Sequence, residues 1–319
     1  MAAISQRLCV RITMPRMPRN AGAVGVAYAL AAYLLWGLSP IYWKEMRAVP
    51  GLEILAQRVI WALLFLALLI TVFRQWSAVR LIVTSWRKLA PLTVTAALVS
   101  FNWGVYIWAV NAGNVLEASL GYFMNPLVNV LLGVVILRER LRPWQALAVL
   151  LAAVGVTNLT VSINAFPWVG LSLAVSFGVY GLIRKIVPAE PLVGLSIETT
   201  LVLPVALAYL AYLSSTGTAV AEGGDLRIWL FLVGSGVVTA LPLLWFARAA
   251  KRMQYSTLGL IQYLAPSIQF GLAIFLYDEP FTTAHLVTFI CIWVGLVIYT
   301  ADSMHVYRRS LARVIPPPE

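Results

Sequence analysis

Ten apolar runs, separated by short clusters of charged and turn-forming residues, fill most of this chain. They fall at about 23–43, 53–73, 90–111, 116–137, 143–161, 166–184, 193–213, 228–248, 256–277 and 283–303. Each is roughly 18–25 residues long, enough for a helix to cross ~30 Å of hydrocarbon. A helix satisfies its own backbone groups in lipid, and the runs neither alternate nor stop short enough for strands. The expected fold class is an all-α membrane protein with ten transmembrane helices. Composition agrees: 319 residues could form one or two soluble domains, but 61% are hydrophobic and only 11% are charged. The mean hydropathy of +0.87 leaves too little polar surface to face water.

A net charge of +11 in a soluble protein would point to nucleic acid. Here the cations sit in short loops, so no nucleic-acid partner is expected. With the N-terminus placed in the cytoplasm, nineteen Lys and Arg residues fall on the inner side. Three, Lys44, Arg47 and Arg227, fall on the outer side, and Arg58 lies inside a run. This bias predicts that both termini are cytoplasmic. Arg184 and Lys185 are counted as inner-loop cations. The first 21 residues are basic and polar, with no apolar core before a cleavage site, so no cleavable secretory signal is expected. Met14 and Met17 are alternative starts. Cys9 and Cys291 form no disulfide framework or metal cluster.

The second constraint is an echo 140 residues long. Pro126, Glu139 and Gly155 recur as Pro266, Glu279 and Gly295, and "NPLVNVLLGVVILRERL" reads against "APSIQFGLAIFLYDEPF". Five runs per copy is odd, so the second copy must enter the membrane inverted, as in many secondary transporters. The basic corner "RERLR" after the fourth run should face in, and the acidic "YDEP" after the ninth should face out. The expected organisation is a basic cytoplasmic tail (1–22), a first five-helix repeat (23–161), a second five-helix repeat (162–303) and a cytoplasmic tail (304–319).

Polar groups inside the runs mark where a solute path would run. Tyr122, Asn125 and Asn129 share one helix face beside Pro126. The 140-offset mates of Tyr122 and Asn129 are Gln262 and Gln269, on one face with Tyr255, Gly259 and Pro266. These stripes either line a cavity or bond helix to helix, at ~0.6–2 kcal/mol per bond. Pro126 and Pro266 each remove a backbone bond and are hinge candidates. Trp36, Asn102, Trp103 and Tyr180 would add an aromatic and amide lining suited to a mainly apolar organic solute. Trp43 and Trp108 divide between this lining and an interfacial belt. Arg58 and Glu198 are intramembrane charges at equivalent positions of the two copies. A carboxylate in low dielectric can exchange a proton, which makes Glu198 the proton-coupling candidate. Arg58 either binds an anionic solute group or pairs with Glu198. Glu139 and Glu279 are expected as surface anchors and gate-loop contacts, and Asn111, Asn114 and Glu117 as part of an outer gate.

Enzymatic chemistry finds no support. His285 and His305 lack acidic partners at metal-ligand spacing, and no nucleophile elbow, metalloprotease helix or phosphate loop occurs. No cofactor and no metal are expected. "GSG" at Gly234–Gly236 reads as close helix packing.

"AAYLLWGLSPIYWK", "NWGVYIWAVN", "LEASLGYFMNPLVNVLLG", "SFGVYGLIRK" and "STLGLIQYLAPSIQF" resemble the RarD permeases of the EamA family, in the drug/metabolite transporter superfamily. The resemblance covers about residues 23–303. It implies ten helices in two inverted repeats in a bacterial inner membrane, and export or exchange of small organic molecules. The family's usual label, chloramphenicol-sensitive protein, names a phenotype. The expected function is a secondary-active transporter of small metabolites or drugs, amphenicol-like compounds among them, working by alternating access. The alternative is a flippase for lipids or lipid-linked sugars. The expected partners are a small-molecule substrate and membrane lipid, with a homodimer as one open arrangement.

Overall fold

Where lipid offers the backbone no partner, apolar runs close into helices. The computed structural model describes residues 21–112, 115–162, 166–219, 226–277 and 283–312, and within them the chain is helical and carries no strand. In order, the helices are α1 (Ala21–Lys44), α2 (Gly51–Val72), α3 (Trp76–Val83), α4 (Trp86–Asn111), α5 (Val115–Val135) and α6 (Pro143–Ser162). They continue with α7 (Trp168–Ile186), α8 (Pro191–Ser215), α9 (Leu226–Arg252), α10 (Tyr255–Gln262), α11 (Leu264–Tyr277) and α12 (Thr283–Ala312). Among the described residues, nine segments are long and apolar enough to cross a membrane, α10 and α11 together making one of them. The stretch Leu120–Val135 within α5 is apolar but shorter. The chain is an all-α, multi-pass membrane protein.

Three features differ from the expected runs. The first is α3, an eight-residue helix in what reads as a loop. Arg74 turns left-handed at φ 53°, Gln75 N–H bonds back to the Ile70 carbonyl at 2.9 Å, and α2 ends. The chain restarts at Trp76 and buries Ile82, while α3 packs on α4 and α8. The second is a break in the ninth run at Tyr263. Pro266 has no N–H for the Gln262 carbonyl, and its ring crowds that turn. Pro126, by contrast, sits within an unbroken α5. The third is α12, which continues to Ala312, well into the segment assigned as tail.

The bundle is organised around α9, which packs on α1 and α2 and also touches α7 and α8. α5 lies between α7 and α10, and α6 pairs with α12. Small residues set the closest approaches, because packing rather than a hydrophobic drive holds helices together in lipid. At Gly236 the neighbour is backbone: a Cβ there would strike the backbone of Trp61 and Ala62 on α2. An aromatic cluster from α1, α7 and α9 fills the centre. Trp36 lies 5.8 Å from both Tyr33 and Phe177 and 5.9 Å from Phe246, centroid to centroid.

Gly236→Leu should lower the melting temperature in detergent, because backbone cannot yield and overpacking costs about 1–3 kcal/mol. Gly271→Ala is the control, since its Cβ would meet nothing within 4 Å. Equal melting of the two variants would show that the α2–α9 contact does not limit stability.

Candidate functional site

Glu198 lies about two turns into α8 and is almost completely buried. Its carboxylate is surrounded by three donors from two neighbouring helices. Thr95 Oγ1 on α4 donates to Oε1 at 2.6 Å, and the Tyr180 hydroxyl on α7 donates to Oε2 at 3.4 Å. Arg184 Nη1 lies 3.4 Å from Oε1, forming a fully buried ion pair. Arg184 also donates to the Pro191 carbonyl at 2.9 Å, which closes the α7–α8 corner. Gly194 makes room for this guanidinium, since a Cβ there would overlap Nη1.

The counter-ion of Glu198 is therefore Arg184, not Arg58, and Arg184 is not a loop cation. At the end of an apolar run beside Lys185 it reads like any inner-face charge. The signal available was Gly194, one helical turn before Glu198 on the same face. Arg58 on α2 instead stacks its guanidinium on aromatic rings. Its Cζ is 4.2 Å from the Trp103 ring centroid and 5.8 Å from that of Trp43. Its Nε is buried and has no hydrogen-bond partner.

Arg58, Trp103, Tyr180 and Glu198 come together around one cavity among α2, α4, α7, α8 and α9. Thr239 of α9 also lines it, its hydroxyl buried and unpartnered. The side chains close on this space, leaving room of about water size.

The other candidate residues lie elsewhere. The Asn102 amide donates to the Leu173 carbonyl at 2.8 Å and to Ser176 Oγ at 2.9 Å, tying α4 to α7. The two polar stripes meet through Asn129, whose amide donates to Gln262 Oε1 at 2.6 Å. Asn125 is buried and its Oδ1 has no partner. Tyr122 is 41% exposed and packs edge-on against Tyr106. Gln269 donates to the Trp36 carbonyl at 3.1 Å. Pro40, four residues on, leaves that carbonyl without its helical N–H, and Gln269 takes up the freed acceptor.

A second polar network closes the end of the bundle where α5, α7 and α9 finish. Glu139, expected as a surface anchor and gate-loop contact, reaches the start of α10. It accepts from Tyr255 N at 2.6 Å, Ser256 N at 2.8 Å and Ser256 Oγ at 2.7 Å. A carboxylate is favourable there because a helix start presents unpaired N–H groups and a positive dipole end. Lys185, at the end of α7, donates to the Ala250 and Met253 carbonyls, at 2.8 and 2.5 Å. Lys251, near the end of α9, donates back to Val187 at 2.9 Å and to Ala189. Each lysine thus binds the carbonyl-rich end of the other's helix. At the opposite end Arg227 pairs with Glu45 at 2.5 Å, and Tyr42 donates to the Phe231 carbonyl. Asn114 and Glu279 lie outside the described residues, as do the side chains of Asn111 and Glu117.

Residues 23–161 match the EamA-like transporter family. A protein of Vibrio cholerae named as a transporter is 46% identical, over 90% of this chain and 96% of that one. The protein RarD of Escherichia coli K12 is 43% identical, over 90% and 97%. A chloramphenicol-sensitive protein RarD of Pseudomonas aeruginosa is 34% identical, over 91% and 98%. A solved crystal structure with 19% identity shares the fold at a TM-score of 0.65, covering 91% of this chain and 99% of that one. Fold and relatives together define a multi-pass bacterial membrane transporter. The chain belongs to the RarD-type permeases of the EamA-like transporter family.

Arg184→Met should destabilise the protein by about 3–5 kcal/mol, because it strands a buried carboxylate. The double variant Arg184→Met, Glu198→Leu should recover most of that loss. Thermal melting of the three proteins in one detergent checks both, and a double variant no better than the single would remove the ion pair as the cause.

Proposed function

We propose that this protein is a secondary-active carrier that exports or exchanges small organic metabolites or drugs by alternating access. The observation that carries this reading is the closed cavity with Arg58 on one wall and the buried Glu198 on another. The two residues lie on α2 and α8, 140 positions apart. A carrier needs a site that two halves of the bundle can enclose, and this one lies between them.

Ten crossings in two inverted five-helix repeats, 23–161 and 162–303, give the framework. Pairing α1 with α7, α2 with α8, α4 with α9, α5 with α10–α11 and α6 with α12 carries the helix contacts onto one another. Contacts α1–α9, α2–α9 and α1–α11 become α7–α4, α8–α4 and α7–α5, and α2–α8, α5–α10 and α6–α12 become themselves. The ends of α2 and α8 also agree. Each first turn closes on the residue before the helix, Ile54 N to Pro50 O and Gly194 N to Glu190 O. Each last turn closes through a left-handed residue, Arg74 or Gly217.

The cation bias places the end bearing Glu139, Lys185 and Lys251 in the cytoplasm, with both chain termini. Those contacts are then an inner gate, which must part for the cavity to open inward. Glu198 is the one carboxylate among the residues lining the cavity. Its protonation would release Arg184 and loosen the α4–α7–α8 contacts, linking proton uptake to the gate. Pro126 and the interruption before Pro266 supply hinges on the mated helices α5 and α10–α11. The name of the Pseudomonas relative makes amphenicols reasonable probes. The surrounding partner is lipid, and a homodimer is compatible with the exposed apolar faces.

Proteoliposomes with an imposed pH gradient should take up radiolabelled chloramphenicol, or members of a pooled amino-acid and nucleoside set, and lose uptake when the gradient is collapsed. Glu198→Gln should remove the gradient dependence, and its melting curve separates lost coupling from the stability lost when Arg184 is left unpaired. Uptake indifferent to the gradient in wild type would refute proton coupling. Scrambling of a fluorescent phospholipid without solute uptake would replace the carrier by a flippase. Lys251→Ala should weaken the inner gate, and labelling of a cysteine introduced at Ala62 by a membrane-impermeant reagent from the cytoplasmic side should rise severalfold. Unchanged labelling would take Lys251 out of the gate.

A further inference from the structure

We infer that the cavity selects a monoanionic solute, with a carboxylate held by Arg58 and Thr239 and a compact apolar body against the surrounding helices. This rests on the carrier reading above and names its substrate class. The argument starts from which polar groups in the cavity are already satisfied. Glu198 is the one carboxylate among the lining residues, and Thr95, Tyr180 and Arg184 already surround it. It has little left to offer a cationic solute. The unmet groups are of the opposite kind. Arg58 Nε–H and the Thr239 hydroxyl are buried, line the same space and have no partner.

Charge points the same way. Arg58 and Arg184 against Glu198 leave one uncompensated positive charge at the cavity. Among the described residues the ion pairs join Arg142 to Asp302, Arg184 to Glu198 and Arg227 to Glu45, and none engages Arg58. Glu53, buried in the first turn of α2, is not among the lining residues. The Trp103 and Trp43 rings stabilise a guanidinium through their faces, yet a ring quadrupole does not neutralise a charge. A bound carboxylate would supply both the missing charge and the missing acceptors, and a charge-assisted bond to Arg is about twice as strong as a neutral one. Apart from Thr199, whose hydroxyl donates to the Leu195 carbonyl, the rest of the wall is apolar, with Val99, Leu195, Val202 and Leu243, which suits a small hydrocarbon or aromatic body.

The test is calorimetric titration of the full-length protein in an uncharged detergent with three matched probes: phenylacetate, phenylacetamide and phenethylamine. Phenylacetate should bind at least tenfold more tightly than the amide, and the amine should bind most weakly. Arg58→Gln should erase the preference for the anion, Arg58→Lys should keep part of it, and Thr239→Val should reduce it. Equal binding of acid and amide by wild type, preference for the amine, no binding by any probe, or a preference surviving Arg58→Gln would each overturn the inference. Melting curves of the Arg58 variants separate lost recognition from lost folding. The proteoliposome assay, with radiolabelled phenylacetate added to the solute set, keeps the two readings apart. Gradient-driven uptake without anion preference would sink only the anionic site, whereas anion binding without any uptake would sink the carrier.

Discussion

A carboxylate held away from water must be given donors by its own fold, and Glu198 imposes that requirement on three helices. α4 contributes Thr95, α7 contributes Tyr180 and Arg184, and α8 opens a gap at Gly194 for the guanidinium. The lost hydration of two buried ions is repaid only when geometry and remaining hydrogen bonds are all in place. The α7–α8 corner, with Arg184 bonded to Pro191, is consequently built around this pair. α9 then completes the enclosure by lying against α2 at Gly236, backbone to backbone. The cavity is what remains between the helices that serve Glu198 and the one that packs against Arg58's helix.

The same low dielectric explains the smaller polar contacts. Proline in a helix leaves a carbonyl unpaired, and in lipid such a group must find a donor. The Trp36 carbonyl, freed by Pro40, finds Gln269 from α11 and Ser39 from its own helix. Asn102 and the Asn129–Gln262 pair likewise cross between helices. These residues stand between binding partners and structural bolts. Because such bonds are modest in membranes, helices joined by them can separate and rejoin, as the proposed carrier cycle requires. The lysine exchange between α7 and α9 and the Glu139 cap on α10 are of the same kind, concentrated at one end.

Much of the site was visible in the residues alone, though not its wiring. Arg58 and Glu198 stood out because ionisable groups are rare inside apolar runs. Their repeat-related positions suggested pairing, yet symmetry of position is not proximity. Arg184 was hidden because a cation at the end of an apolar run looks the same whether it turns outward to water or folds back onto a carboxylate. The partners of Glu139 were hidden for a related reason: two of them are backbone N–H groups, which almost every sequence position supplies. α3 escaped because eight residues fall below the length at which a crossing registers.

Sequence by itself determined that the chain is helical, that it lives in a bilayer, and which positions carry polar groups inside it. Those properties follow from local chemistry: run length against hydrocarbon thickness and the cost of unpaired backbone in lipid. Only the tertiary structure decided that Arg184 answers Glu198, that Asn129 meets Gln262, that the ninth run breaks at Tyr263, and that Arg58 remains without a carboxylate. The reason is that a partner for a buried charge is chosen by which helix faces meet, and those faces are set by packing among residues far apart in the chain.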